Sequence, residues 1–334
     1  MIYSDTDFNN KTVLITGGAG FIGSNLAFYF QKQFPSSRIV IFDCFRNDEK
    51  FTNGNLKSFG HYKNLIGFKG EIICGNIDNK EDLEQLESYK FDYIFHHAAI
   101  SDTRVYDQES VFRTNINSFD FFLKLGLQNS APLIYASSAA TYGNLPSPQM
   151  IGIENPENPY GYSKYIMDQM AIQFSKKHPN MTIVGLRFFN VYGDGEFYKN
   201  KTSSMIIQIG HQLLSGNKPK LFFNSENIKR DFVYIDDVTQ SNIKAAVANK
   251  SGIYNVGTGI PRSFTDIVEI LQDKLKTNLD IEFINNPYSG YQNHTQADIS
   301  LSEKYLDFHP QFSLEEGIEK YIPYIKSKHN SQPL

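Results

Sequence analysis

Two tyrosines and a lysine stand close together in Asn158-Pro-Tyr-Gly-Tyr-Ser-Lys164, a segment that opens a helical pattern running to about residue 178. Tyr160 and Lys164 are four apart, which on a helix puts both side chains on one face, one turn from each other. A nearby ammonium favours tyrosinate, so the spacing predicts a Tyr160 pKa lowered from about 10 towards neutrality, as a general base working near pH 7 requires. An incidental surface pair would have the same spacing. Tyr162 competes for the role, but its i+4 partner is Ile166.

The second chemistry-bearing stretch is Gly17-Gly-Ala-Gly-Phe-Ile-Gly23, which follows an apolar, strand-like run at 12–16 and leads into an amphipathic helical run at 24–33. Strand, glycine loop and helix in that order predict a dinucleotide site. Gly17 allows the tight turn, Gly20 lets the backbone approach a pyrophosphate, and Gly23 allows close packing of helix on strand. The anion would sit on unpaired N–H groups at the helix N-terminus. An acidic residue is expected about twenty positions on, at the tip of the second strand, to take the ribose hydroxyls. Asp43, which ends Arg38-Ile-Val-Ile-Phe42, fits. Its carboxylate favours NAD, whereas Arg46 and Lys50 just beyond could pair with the 2′-phosphate of NADP. Spacing alone leaves that choice open.

These residues need a large α/β scaffold, and 334 residues with 40% hydrophobic content can bury its core. The formal net charge of -4 provides no basic field for nucleic acid. Two cysteines, Cys44 and Cys74, allow neither a disulfide framework nor a zinc ligand set. Residues 1–10 are polar and acidic, and no apolar run approaches membrane-spanning length, so the chain reads as a cytosolic enzyme.

In chain order, 47–69 reads as a long surface excursion, followed by a strand at 71–74, a helix at 80–89 and a strand at 91–96. Strands alternating with helices imply a parallel sheet covered on both faces. The run His97-Ala98-Ala99-Ile100-Ser101 follows the fourth strand, at the carboxyl edge where ligands bind in open α/β folds. Small residues there let a cofactor lie close, and His97 reads as a loop histidine with a satisfied hydrogen bond. Asn115, in a helical run at 110–128, could point its amide at the strand ends. A fifth strand at 132–136 ends in a serine-rich loop at 137–143, whose hydroxyls would face the site. A sixth strand at 182–187 precedes a polar, loop-like stretch at 194–201, in which Lys199 and Lys201 could both reach a substrate. Further on, a helix at 204–214, strands at 219–223, 230–234, 253–256 and 280–284, a helix from Asp236 as N-cap and helices capped by Ser263 and by a Ser313/Glu316 box complete a smaller, lid-like region.

Five stretches carry more information together than singly: Tyr135-Ala-Ser-Ser-Ala-Ala-Thr-Tyr-Gly143, Arg187-Phe-Phe-Asn-Val-Tyr-Gly193, Pro219-Lys-Leu-Phe222, Ser225-Glu-Asn-Ile-Lys-Arg-Asp-Phe-Val-Tyr234 and Thr295-Gln-Ala-Asp298. With the glycine loop and the Tyr160/Lys164 pair, the chain resembles the extended short-chain dehydrogenases/reductases that act on nucleotide-sugars. The last three stretches narrow the resemblance to the ADP-L-glycero-D-manno-heptose 6-epimerase family, over nearly the whole chain. The resemblance implies a Rossmann-type doubly wound parallel sheet with a smaller α/β substrate-binding domain. The cofactor domain would comprise 1–190 and about 231–262, and the nucleotide-sugar domain about 191–230 and 263–334. It also implies a homo-oligomer, a pentamer in the family.

The same resemblance places the catalytic tyrosine on Tyr160, its lysine partner on Lys164, the supporting serine on Ser138 and a second base on Lys199, ahead of Lys201. Cofactor contacts fall on Phe21, Ile22, Asp43, Lys50, residues 97–101, Asn115 and Val191, and Lys50 tilts the cofactor choice to NADP. Substrate contacts fall on Asn190, Phe222, Phe223, Asn224, Ser225, Arg230 and Tyr291. The chain departs from the better-known members at Asp194-Gly195, where they have Pro-Arg, at Lys201, where they have serine, and in a longer segment between Phe51 and Ile72. The implied reaction is inversion at C6 of an ADP-heptose, in lipopolysaccharide synthesis. Dehydration is disfavoured because Ala139-Ala140-Thr141-Tyr142 lacks the Asp-Glu pair of related dehydratases, and a non-catalytic cofactor-binding protein would be expected to lack the Tyr/Lys pair.

Overall fold

The computed structural model describes residues 1–287 and 292–331. Six parallel strands form the sequential part of the main sheet: β1 (Thr12–Thr16), β2 (Arg38–Asp43), β3 (Glu71–Cys74), β4 (Tyr93–His96), β5 (Leu133–Ser138) and β6 (Ile183–Phe188). The short strands β7 (Asn190–Tyr192), β8 (Lys220–Phe222) and β9 (Lys229–Tyr234) follow, and β10 (Gly252–Val256) returns to the main sheet. Its order is β10-β6-β5-β4-β1-β2-β3, so the direction of winding reverses between the neighbouring strands β1 and β4. The crevice at that reversal, at the carboxyl ends of the strands, is where α/β folds of this kind bind ligands.

The strands are near-continuous apolar runs because both faces are buried. Successive residues point to opposite faces: Val13, Ile15, Ile39 and Ile41 join one core cluster, Leu14, Val40 and Phe42 the other. Helix α1 (Phe21–Gln33) covers the first face through Leu26, Ala27 and Phe30. The second face meets Phe119 and Phe122 of a helical run that is less regular than the sequence suggests. Helix α2 (Lys80–Glu84) ends in a 3₁₀ turn at Gln85–Ser88. Helix α3 (Gln108–Phe112), capped by Asp107, is joined to α4 (Ser118–Asn129) by a π turn at Arg113–Asn117.

Helix α5 (Pro159–Lys177) starts as its sequence dictates, with Pro159 in the first turn and the Asn158 side chain accepting from the Gly161 N–H at 2.8 Å. Helix α6 (Met205–Leu214) follows β7. Helix α7 (Ile235–Ala246) begins one residue before the expected cap. Tyr234 occupies the N-cap position without a side-chain bond, while Asp236 and Asp237 sit in the first turn, where carboxylates favour the helix dipole. Beyond β10 come β11 (Pro261–Ser263), α8 (Phe264–Leu275), β12 (Glu282–Ile284), α9 (Ser300–Leu306) and α10 (Leu314–Lys328). Both α8 and α10 open with the expected serine caps, each a full capping box. Helices α6, α8 and α10 pack on one another, β8 pairs with β12, and β9 pairs with β7 and β11. No helix among the described residues is long and apolar enough to cross a membrane.

Residues 47–69 are more than a surface excursion. Phe51 packs with Ile100, Val105 and Val111, the His61 ring stacks on Tyr198 at 4.1 Å, and Leu65 enters the main core. Gly60 lies against the Asp43 carboxylate, where a Cβ would have no room. The polarity of the segment hid these anchors, because each is a single residue without periodicity.

Candidate active site

The glycine loop is built as its spacing requires. Gly17 has φ +67°, and a Cβ there would lie 2.8 Å from the Ala98 nitrogen; a Cβ on Gly23 would run into the Gly17 carbonyl. Helix α1 starts three residues earlier than expected, with Gly20 as N-cap and no side chain covering its first N–H groups. Those groups are free for an anion. A cavity of about 810 Å³ runs from Gly17, Gly20, Phe21, Ile22 and Gly23 past Asp43 and residues 97–101 to Ser138, Tyr160 and Lys164, and on to Asn190, Val191, Lys199 and Arg230. An uncapped helix start, a loop with no room for side chains and an elongated cavity fit a dinucleotide.

Several of the expected residues also bind the protein's own loops together. The Asp43 carboxylate accepts the Ala19 and Phe45 N–H groups at 2.9 and 2.8 Å, tying the glycine loop to the tip of β2. Burial pushes its pKa up, opposed by those two bonds. Asn115, in the π turn, is buried outside the cavity wall. Its amide accepts from Ile100 N–H at 2.8 Å and donates to Ile100 O and Ser163 Oγ at 2.9 Å each, so it clamps the 97–101 loop to α5. Lys50 is exposed and does not line the cavity, whereas Lys57, ion-paired with Glu49 at 3.1 Å, does. His97 lacks the satisfied bond expected of it. Neither ring nitrogen makes a well-formed hydrogen bond among the described residues. Burial lowers its pKa to about 4, with Asn242 opposing, so it is neutral near pH 7.

At the other end of the cavity, Lys164 Nζ lies 5.9 Å from the centre of the Tyr160 ring, and its hydrogen-bond neighbour is Met167 Sδ at 3.7 Å. Burial lowers the Lys164 ammonium to about 8, opposed by Asp168 one turn further along α5. The expected fall of the Tyr160 pKa is absent: burial raises it, and the nearby Ser138 hydroxyl opposes. The phenol therefore has the Ser138 hydroxyl as a polar neighbour, and the ammonium stands beside its ring as a charge. Tyr162 is exposed and lies outside the cavity.

Beneath this group lies a network the sequence did not announce. The Asp168 carboxylate accepts from Tyr135 Oη at 2.7 Å, Ser137 Oγ at 3.0 Å, and Arg187 Nε and Nη2 at 2.9 and 2.8 Å. Arg187 also donates to Glu154 at 2.6 Å and is 1% exposed. Arg187 ends a strand pattern, and a charged residue there reads as a solvated edge; only a carboxylate nineteen positions back, with its own hydroxyl donors, makes burial possible.

On the far wall, residues 194–201 are not a loop. The segment Glu196–Thr202 forms two 3₁₀ turns that meet at Asn200, whose φ of 53° and ψ of -125° break the helix, with Glu196, Phe197 and Tyr198 of the first turn buried. Lys199 lines the cavity with its Nζ 5.7 Å from the Phe21 ring, while Lys201 is exposed and outside it. Burial lowers the Lys199 pKa, opposed by Glu196 and Asp102. Arg230 lines the cavity, donates to the carbonyls of Lys229 and Gln292, and holds its guanidinium 5.9 Å from the Phe264 ring. Phe232, Phe264, Ser203, Ser204 and Met205 also line it. Phe222, Phe223, Asn224 and Ser225 lie outside the cavity wall, with Phe223 exposed. Tyr291 lies outside the described residues.

The arrangement gathers a phenol, two depressed lysines and a diphosphate-compatible arginine along one cavity. Residues 13–257 match the NAD dependent epimerase/dehydratase family. The solved ADP-L-glycero-D-manno-heptose-6-epimerase of Helicobacter pylori is 47% identical, covers 98% of this chain and 100% of its own, and superposes with a TM-score of 0.90. The UDP-N-acetylglucosamine 4-epimerase of Methanobrevibacter ruminantium, solved with UDP-N-acetylmuramic acid, is 25% identical over 96% of this chain and 99% of its own (TM-score 0.84). The UDP-glucuronic acid 4-epimerase of Bacillus cereus, solved with UDP-glucuronic acid and NAD, is 25% identical over 95% and 99% (TM-score 0.80). The chain belongs to the NAD-dependent epimerase/dehydratase family, and within it is an epimerase, an isomerase by class of reaction.

Proposed function

We propose that the protein converts ADP-D-glycero-D-manno-heptose to ADP-L-glycero-D-manno-heptose by inversion at C6, with tightly bound NADP and no net redox change. The observation that carries the reading is that Tyr160 with Lys164, from α5, and Lys199, from the 196–202 turn, line one cavity from separate elements. Inversion needs either two acid/base groups or a reoriented intermediate. The likeness to the H. pylori enzyme supports the substrate.

A bound nicotinamide supplies a reversible hydride acceptor beside the sugar. In the forward direction Tyr160 takes the proton of the C6 hydroxyl on one face and Lys199 gives one back from the other; in reverse the two exchange roles. Lys164 supplies positive charge that favours the ionised phenol, and Lys199 handles the proton on the opposite face. Arg230 offers a planar fork to the diphosphate. Lys57, which lines the cavity, is the cation of the 46–57 segment placed to meet a 2′-phosphate. The same reading covers the division of cofactor and sugar binding between the two sets of residues named above, a cytoplasmic homo-oligomer, and supply of heptose for lipopolysaccharide.

The test is proton NMR of the purified protein with ADP-D-glycero-D-manno-heptose and no added oxidant or reductant, with mass spectrometry of the cofactor released by acid. A mixture of both C6 epimers and released NADP is the expected result. An unchanged sugar overturns the substrate assignment and directs the assay to other nucleotide-sugars; released NAD overturns the cofactor assignment. The pH dependence follows from Lys164, which is charged below about pH 8 and neutral above it. Turnover should therefore decline above about pH 8, and a rate that keeps rising through that pH counters the role given to the ammonium.

A further inference from the structure

The 3₁₀ turn that carries Lys199 begins with a carboxylate that the proposed reaction does not use. Glu196 is fully buried, and donors from three places converge on it: the Gly193 N–H at 3.2 Å, the Ser204 N–H and its hydroxyl at 2.7 Å, and the Tyr321 phenol of α10 at 2.9 Å. Among the described residues no cation lies within ion-pair distance of it. A buried charge is costly unless its oxygens are bonded; burial pushes the Glu196 pKa up, and the Lys199 charge and the Ser204 and Gly193 donors oppose it. In a 3₁₀ helix residues three apart eclipse each other, which sets Glu196 in line with Lys199.

We propose that Glu196 is the positioning residue for Lys199: held by Gly193, Ser204 and Tyr321, it fixes the turn and maintains the positive charge that faces the cavity. The inference rests on Lys199 being the second acid/base group. The groups bearing on this pair come from several elements. Asp102, in the loop after β4, supports the Lys199 charge together with Glu196. Asp194, Tyr192, Tyr321 and Tyr324 are the other titratable groups in the field of Glu196. Removing the Glu196 charge takes support from the ammonium, so Lys199 loses its proton at lower pH.

The experiment measures C6 epimerisation against pH for the full-length protein and for Glu196→Gln, Glu196→Asp, Tyr321→Phe and Lys199→Met. Glu196→Gln should lower kcat about 10²-fold, the cost of a catalytic group displaced by about 1 Å, with KM little changed. The limb of the profile governed by Lys199 should move to lower pH. Glu196→Asp keeps the charge and should keep the limb near its original pH while losing rate. Tyr321→Phe removes one donor and keeps the ring, so it should move the limb in the same direction with a smaller loss; it carries the test if Glu196→Gln does not fold. Impaired Lys199→Met with unmoved limbs in both Glu196→Gln and Tyr321→Phe overturns the inference and leaves the reaction standing. Lys199→Met at full rate overturns the role of Lys199 in the reaction itself.

Discussion

Tyr160→Phe should leave the cofactor bound and lower turnover about 10²- to 10⁴-fold, the range for loss of a general acid/base. The phenylalanine ring fills the same space at the start of α5, and the fold around it does not depend on the phenol. Ser138 accepts the Ala140 N–H at 3.1 Å independently of the phenol, so no buried hydroxyl is orphaned. The helix start is fixed independently by Asn158 and Pro159. Because the glycine loop lies elsewhere, and the Asn115 clamp reaches Tyr160 only through Ser163 and its backbone carbonyl, cofactor retention separates a chemical defect from a folding one. Near-normal turnover in this variant would remove Tyr160 from the mechanism.

The second large effect is on stability. Arg187→Met strips the cation from Asp168, which is fully buried, and from Glu154, which the Arg187 guanidinium reaches at 2.6 Å. Methionine occupies much of the same volume, so the loss is chiefly electrostatic. Breaking a buried pair by removing one partner costs about 3–5 kcal/mol, because the remaining charge is left uncompensated. The measurement is urea unfolding, in which the midpoint should fall with an unchanged slope. Combining Arg187→Met with Asp168→Asn should recover part of the loss, since the neutral amide needs no cation, and the double-mutant cycle gives the coupling. A single variant within about 1 kcal/mol of the original protein would show that the hydroxyls of Tyr135 and Ser137 suffice for Asp168.

Both expectations start from residues whose visibility in the sequence differs. Tyr160 and Lys164 are legible because their spacing and helix start are local. The parallel sheet is legible for a similar reason, since apolar runs alternate with helical ones. Arg187 is not, because its burial depends on Asp168 and Glu154, which arrive from a helix and a loop. Asn115 is visible as a polar residue in an apolar helical run, but only the π turn aims its amide at Ile100 instead of at a ligand. The fall expected for the Tyr160 pKa considered charge and omitted desolvation, which works in the opposite direction and is larger. Lys199 and Lys201 are equivalent in composition and separate only when the chain around Glu196 coils into a 3₁₀ turn. The stretch at 222–225 shows the converse: a recognisable run of residues need not line the cavity it is associated with.

The segment at 47–69 has a consequence for engineering. Phe51 is buried against Ile100, Val105 and Val111, and His61 is stacked on Tyr198, next to Lys199. The segment thus forms part of the wall that supports the loop after β4 and the turn of the second lysine. A shortened version would expose an apolar face on one side and an unstacked ring on the other. Trimming here is therefore a redesign of two functional loops, and a graft from a relative with a shorter segment would have to bring its own residues at 100, 105, 111 and 198 along with it.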